Sequence, residues 1–288
     1  YGKSGQRSNE ACHDINYIAI SGGLGATGPA DRPPYPPLNL LADFGGGGLL
    51  AAFGIVGALY ERSRSGKGQQ VDAAMIDGCI SMMAMHFPDW GKEVLPERGV
   101  GLISGSAPYY RCYECADGRY ISVGSLEQAF FDALWRTVGE GERPDHMDVA
   151  NWPAIEAHLT QVFRSKTRDQ WTARFEGIDA CVAPVLTPDE VWNEPQVRAR
   201  HPGSGNDSVP AVPLFSRTRL RPAALDMTDR TTEILEELGL GKEEIAAARG
   251  PEAANPITGL SWPPQMKNAD QMAAIVKGTR SQPRGDKK

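Results

Sequence analysis

Four consecutive glycines at residues 45–48 separate the segment Asn39-Leu40-Leu41-Ala42-Asp43-Phe44 from a nearly unbroken apolar run over residues 49–60. Each glycine weakens a helix by about 1 kcal/mol relative to alanine, so four in a row need a reason. The apolar run, with Gly54 and Gly57 inside it, predicts a buried helix whose glycines admit a close neighbour. Asp43 falls just before the first turns of that helix. There the backbone N–H groups are unpaired and the macrodipole is positive, so a carboxylate is favoured. Two readings of Asp43 stay open. It is an N-cap, or it is a functional group beside glycines that let a ligand reach the backbone.

A second polar head precedes another apolar stretch: Cys12-His13-Asp14-Ile15-Asn16-Tyr17, then Ile18-Ala19-Ile20. Ile15, Tyr17, Ile18 and Ile20 suit a short strand or a buried helix. Asp14 before the run and Ser21-Gly22-Gly23 after it are start and stop signals, and they predict a helix. His13 then stands at a helix N-terminus, beside free N–H donors. Taken alone, such a histidine serves equally well as a hydrogen-bonded structural residue.

Length and composition narrow the classes. With 288 residues and 41% hydrophobic content, the chain has room for two domains and a core. A formal charge of −6, and no basic block before residues 280–288, argue against a dedicated nucleic-acid binder. The 49–60 run is too short to span a membrane. No targeting pattern is visible, so the expected location is cytoplasmic, or mitochondrial or peroxisomal if the source is eukaryotic. Five cysteines, an odd and sparse set, suit free thiols in a reducing compartment. The pair in Cys112-Tyr113-Glu114-Cys115 has redox or zinc spacing, but no second pair completes a metal shell. In a strand, its two members point to opposite faces.

Residues 24–38 are rich in glycine and proline and read as a loop. The basic turn at 62–68 lacks the phosphate-loop pattern, because Glu61 and Gly68 stand at two of its required positions. Residues 72–85 read as a second buried helix, rich in methionine. Residues 86–106 are irregular. Strands are expected at 109–114 and 119–123 around an Ala-Asp-Gly turn, and at 181–186. Helices are expected at 128–138, 152–164, 168–176, 188–191, 228–238 and 242–249, with Gly239 as a stop signal. The chain turns loop-like from Gln196, and 251–288 reads as a flexible tail.

Several of these motifs, in order, resemble α-methylacyl-CoA racemases of the family III CoA-transferase (CaiB/BaiF-like) superfamily. The resemblance is carried by His13-Asp14-Ile15-Asn16-Tyr17 and by Pro37-Leu38-Asn39-Leu40-Leu41-Ala42-Asp43-Phe44-Gly45-Gly46-Gly47. It continues through Ser65-Gly66-Lys67-Gly68-Gln69, Val71-Asp72-Ala73-Ala74-Met75, Ala107-Pro108-Tyr109-Tyr110 and Val123-Gly124-Ser125-Leu126-Glu127. It resumes at Asp179-Ala180-Cys181-Val182-Ala183-Pro184 and at Thr232-Glu233-Ile234-Leu235, and it ends near residue 250.

The resemblance implies an α/β fold. A CaiB/BaiF-like large domain would come from residues 1–108 and 200–250, and an α+β small domain from 109–199. The large domain would be partial, because the Rossmann-like part with most of the CoA nucleotide site would lie upstream of Tyr1, which makes the chain a fragment. Family members form an interlocked homodimer. The implied partner is an acyl-CoA thioester, with no cofactor beyond CoA itself, no nucleic acid and no membrane.

The implied reaction inverts the α-carbon of a 2-methylacyl-CoA. Removing a proton next to a thioester needs a placed base and a stabilised enolate oxygen, and inversion needs an acid/base on each face. The resemblance assigns His13 and Asp43 to the two faces, and pairs Glu127 with His13. It gives Cys12, Asp14, Tyr17, Asn39, Tyr110 and Leu126 to substrate binding, with N–H groups at the Asp14 helix start holding the thioester oxygen. On its own, Glu127 reads as a carboxylate at a helix N-terminus. Two departures fall at the acyl pocket: Cys12 stands where the family has glycine, and Ser104-Gly105-Ser106 where it has Asp-Gly-Gly. Two other readings compete. One is a CoA-transferase using Asp43 as nucleophile. The other is a non-catalytic, dimer-forming scaffold.

Overall fold

The computed structural model describes residues 1–206, 208–220, 223–224 and 230–249. The expected tail at 251–288 lies outside the described residues. The chain divides into two compact units, Tyr1–Val191 and Trp192–Lys288.

The first unit opens with α1 (Asp14–Ile20) and the short α2 (Gly23–Ala26). A π-helical segment, Leu40–Leu49, then runs without a break into α3 (Leu50–Ser65). Gly66 ends α3 with φ +74°, and its N–H reaches the Arg62 carbonyl at 2.8 Å. The helix α4 spans Met75–Met82. Thus Asp43 is not the N-cap that one sequence reading allowed. Asn39 holds that position, and Asp43 sits one turn inside the π-helical segment.

The glycines have a different use from the expected ligand approach. A Cβ on Gly78 of α4 would lie 2.1 Å from the Gly46 carbonyl oxygen, and one on Gly46 would lie 3.0 Å from the Cys79 nitrogen. Backbone meets backbone there, so Gly46 and Gly78 are a helix–helix contact. Two further expectations are corrected. The predicted 72–85 helix covers only Met75–Met82, with Gly78 and Cys79 buried and Met82 exposed. Asp72 instead takes the Lys3 backbone N–H at 2.9 Å.

The predicted burial of the 49–60 helix also fails. No residue of α3 is buried, and Phe53 is 75% exposed. An apolar pattern nearly all round a helix says that it must be covered, not by what. With the π-helical segment, the continuous helix Leu40–Ser65 has 26 residues, and its most apolar 18-residue stretch has a mean hydropathy of 1.6. By length and composition alone that suffices to cross a membrane, where the 49–60 run by itself fell short.

Residues 107–180 build the main core. The strands β1 (Tyr110–Glu114), β2 (Tyr120–Gly124) and β3 (Val182–Pro184) form an antiparallel sheet in that order. Tyr113, Ile121 and Val123 alternate inward. Helix α5 (Gln128–Val138) brings Phe131, Leu134 and Val138 to the same core. From α6 (Trp152–Phe163) come Ile155, Leu159 and Phe163, and from α7 (Arg168–Phe175) come Trp171 and Phe175. These are the three- and four-residue spacings of one helix face. Thr167 and Gln170 start α7 with a reciprocal capping box. Cys112 is exposed while Cys115 faces the core, where burial pushes its thiol up to about 11.

The expected helix at 188–191 is displaced: residues 188–190 form a turn held by an ion pair, and a single 3-10 turn follows at Val191–Asn193. Buried Arg168 grips both Glu190 oxygens, at 2.6 and 2.8 Å, and also the Val185 carbonyl. Glu190 takes the Thr187 N–H as well, so this stretch closes as a turn. The Arg168 guanidinium holds the Glu190 carboxyl far below its ordinary range.

The second unit contains α8 (Pro195–Arg200), which the loop-like reading from Gln196 missed. It is started by Glu194, whose side chain takes the Val197 N–H at 2.7 Å. The short strands β4 (Ser208–Val209) and β5 (Ala223–Ala224) pair antiparallel, and α9 (Thr231–Glu237) and α10 (Lys242–Arg249) follow.

Gly78→Ala should therefore destabilise the fold by about 1–3 kcal/mol, because the added methyl drives α4 off the π-helical segment. Gly57→Ala, where nothing stands within 4 Å of the added carbon, should be neutral or stabilise by up to about 1 kcal/mol. Urea denaturation of the two variants reads the contrast.

Candidate active site

The two polar heads of the sequence meet through one carboxylate. Asp14, the first residue of α1, is 6% exposed. Its Oδ2 accepts the backbone N–H of Ala42 at 2.8 Å and that of Asp43 at 2.9 Å. Those N–H groups lie in the first turn of the π-helical segment, where a helix has no internal acceptor for them. A residue 28 positions upstream thus does the work of a cap. Oδ1 of the same carboxylate is buried and has no hydrogen-bond partner among the described residues. Burial, and next the Asp14 charge, raise the pKa of the nearby Cys79 thiol.

His13 is the N-cap residue of α1, extended at φ −115°, and exposed. Asn16 Oδ1 takes its backbone N–H at 3.3 Å. Asp43 is exposed as well, and its Oδ2 accepts from Asn39 Nδ2 at 3.2 Å. Asn39, half-buried, therefore spends its amide on Asp43 rather than on a cap. The Asp14 bonds bring His13, Asp43 and Asn39 into one neighbourhood.

Cys12 is half-buried and accepts from the Tyr1 hydroxyl at 2.9 Å. Tyr17 is buried, edge-on to the Tyr1 ring at 4.8 Å. Tyr110 stands on the outer sheet face, in an open groove of about 1260 Å³ that Tyr35, Ser104, Ser106 and Gly124 also line. Ser104 and Ser106 both bond Gly101, so the departure at 104–106 closes its own loop. Arg98, unremarked in the sequence, donates to the Arg32 carbonyl at 2.7 Å and to that of Pro29, holding the far wall.

Glu127 is the N-cap residue of α5, and its side chain makes no cap bond, so the exposed carboxylate is free of its own helix. Together with burial and Asp179, it raises the pKa of the Cys181 thiol. Half-buried Leu126 packs on the main core, and its carbonyl accepts His146 Nε2 at 2.9 Å. Among the described residues no hydrogen bond or ion pair joins Glu127 to His13. Sequence reasoning passed over His146 and the capping role of Asp14, since each rests on a partner distant in sequence. Among the described residues no group of three or more His, Cys, Asp or Glu is placed to hold a metal ion.

Comparison with known proteins bears on this geometry. The family profile of CoA-transferase family III matches residues 1–216. The α-methylacyl-CoA racemase of Mus musculus is 41% identical over 256 residues, covering 85% of this chain and 67% of the mouse protein. The Homo sapiens enzyme of the same name is 38% identical, with the same coverage. A crystal structure of a CaiB/BaiF family protein from Brucella suis superposes with a TM-score of 0.64 at 25% identity, over 83% of this chain and 66% of that one. The matched fold is α/β.

Removing the Asp14 carboxylate tests the link between the two heads. Asp14→Ala strands the buried Ala42 N–H and should cost about 1–3 kcal/mol. Asp14→Asn keeps an acceptor oxygen and should cost less. Chemical denaturation of both variants measures the difference.

Proposed function

Because this chain belongs to CoA-transferase family III, we propose that it inverts the α-carbon of 2-methylacyl-CoA thioesters. One base takes the α-proton, the electron pair moves into the thioester carbonyl as an enolate, and a second group returns a proton from the opposite face. His13 and Asp43 are the two groups. The observation that carries the reading is the Asp14 carboxylate, which joins the turn bearing Asp43 to the residue after His13. Asn39 holds one Asp43 oxygen and leaves the other for proton transfer. Cys12, Asp14, Tyr17, Tyr110 and Leu126 complete the proposed substrate set.

In the competing transferase reading, Asp43 is a nucleophile and needs no partner base. The His13 head beside it favours the racemase. Glu127 is assigned to fix the tautomer of His13, a contact that would form with substrate or on assembly. No cofactor beyond the CoA of the substrate is part of this reading.

The division into a large domain (1–108 and 200–250) and a small domain (109–199) belongs to the same proposal. The core confined to Ala107–Ala180 supports its second half. A homodimer is proposed too. Its contact would cover the apolar side chains of α3, including Phe53, Val56 and Leu59, with protein rather than lipid.

In the full-length protein, His13→Ala and Asp43→Ala should each lower epimer interconversion by about a hundredfold or more. Each should still exchange the α-proton of one epimer for deuterium, because one face keeps its base. Chiral chromatography and mass spectrometry in deuterium oxide measure both quantities. Full racemisation by either variant removes the assignment, and CoA transfer to a free carboxylate by the wild type moves it to the transferase.

A further inference from the structure

The turn that carries Glu127 is gripped by a histidine for which the proposed chemistry has no use. His146 is 1% exposed. Its Nε2 stands 2.9 Å from the Leu126 carbonyl oxygen. A carbonyl can only accept, so Nε2 carries the hydrogen of this bond. The other ring nitrogen, Nδ1, is buried without a partner, so among the described residues the bond to Leu126 is the ring's one polar contact.

The ring is also fixed in orientation. It stacks on Phe131, with centroids 4.2 Å apart and planes at 10°, and meets Tyr109 edge-on at 4.8 Å. Its own backbone carbonyl accepts Trp152 Nε1 at 2.8 Å. Leu126 precedes Glu127 and Phe131 follows it by one helical turn. One imidazole therefore touches both sides of the α5 N-cap. On the residues just before, Ser125 Oγ donates to the Ala180 carbonyl at 2.6 Å, and Gly124 N–H to that of Cys181 at 2.9 Å. Among the described residues, no hydrogen bond or ion pair engages the Glu127 carboxylate on this clamped turn.

We infer that His146 is a positioning residue for Glu127: through the Leu126 carbonyl it fixes the backbone from which that carboxylate projects. The inference rests on the two-base reading only for its effect on turnover. Two substitutions separate the bond from the packing. His146→Phe keeps an aromatic ring on Phe131 and removes the donor. His146→Gln removes the ring and keeps an N–H that can reach the carbonyl.

In the full-length protein, His146→Phe should lower kcat for epimer interconversion by about tenfold while KM stays within about twofold. Amide hydrogen exchange over residues 125–128 should quicken by about tenfold in the same variant. His146→Gln should recover most of both losses. The claim is overturned if His146→Phe exchanges these amides at the wild-type rate, or if the two variants lose kcat equally at equal melting temperature. If the wild type exchanges no α-proton, the functional reading falls, and amide exchange alone decides whether His146 holds the turn. Should His146→Phe not fold, the imidazole 15N spectrum of the wild type decides: a protonated Nε2 with a bare Nδ1 supports the claim, and a bare Nε2 sinks it.

Discussion

The candidate site depends on the hydrogen bonds that Asp14 Oδ2 accepts from Ala42 and Asp43. A buried carboxylate is costly to desolvate, and among the described residues one of its oxygens has no partner. It is tolerated because the first turn of a helix offers donors with no internal acceptor, and a charged acceptor makes the stronger bond. The consequence reaches beyond stability. The carboxylate fixes where the π-helical segment begins relative to α1, and so where Asp43 stands relative to His13. The residue between the two candidate bases is thus structural in its side chain, and it leaves both neighbours exposed.

The π-helical segment meets a second constraint from α4. Its glycines let Gly46 and Gly78 touch backbone to backbone, at a distance no side chain allows. One helix start is thereby held by a carboxylate at its first turn and by a helix along its flank. The glycine run announced a close approach, but its partner is a glycine more than thirty residues later. Sequence alone could not choose between a ligand and a helix as the thing that approaches. Asp43 was ambiguous for a related reason. N-cap and first-turn positions differ by a few residues, and the true cap, Asn39, uses its side chain on Asp43 instead of on the backbone.

Legibility followed the strength of the local pattern. In residues 107–184, the two- and three-to-four-residue periods give β1–β3 and α5–α7 to within about two residues of their observed ends, because each element has one buried face. The turn at 187–190 broke the pattern, since a buried arginine from another element outweighs weak local helix signals. The apolar run at 49–60 was legible as a helix and misread as buried, whereas the 72–85 helix is shorter than expected and buries Gly78 and Cys79. Apolarity all round a helix states a need for cover without naming the cover. In the candidate site, His13, Asp43 and Glu127 stand out by their places at helix starts, whereas Asp14 as a cap and His146 as a clamp emerge only from contacts distant in sequence.

A common logic links the two halves of the site. A side chain at a helix start ordinarily spends itself on the free N–H groups there, and one so engaged is poorly placed to move a proton. Here that duty is passed to others. Asp14 takes the N–H groups around Asp43, and Asn16 takes the N–H of His13. At α5, no side-chain bond ties Glu127 to its helix, and His146 and Ser125 brace the turn before it. The backbone of each candidate acid or base is held by other residues, while one Asp43 oxygen is engaged by Asn39 and Glu127 makes no bond to its own helix. That arrangement gives a proton-transfer site a fixed origin for each group without neutralising the group itself.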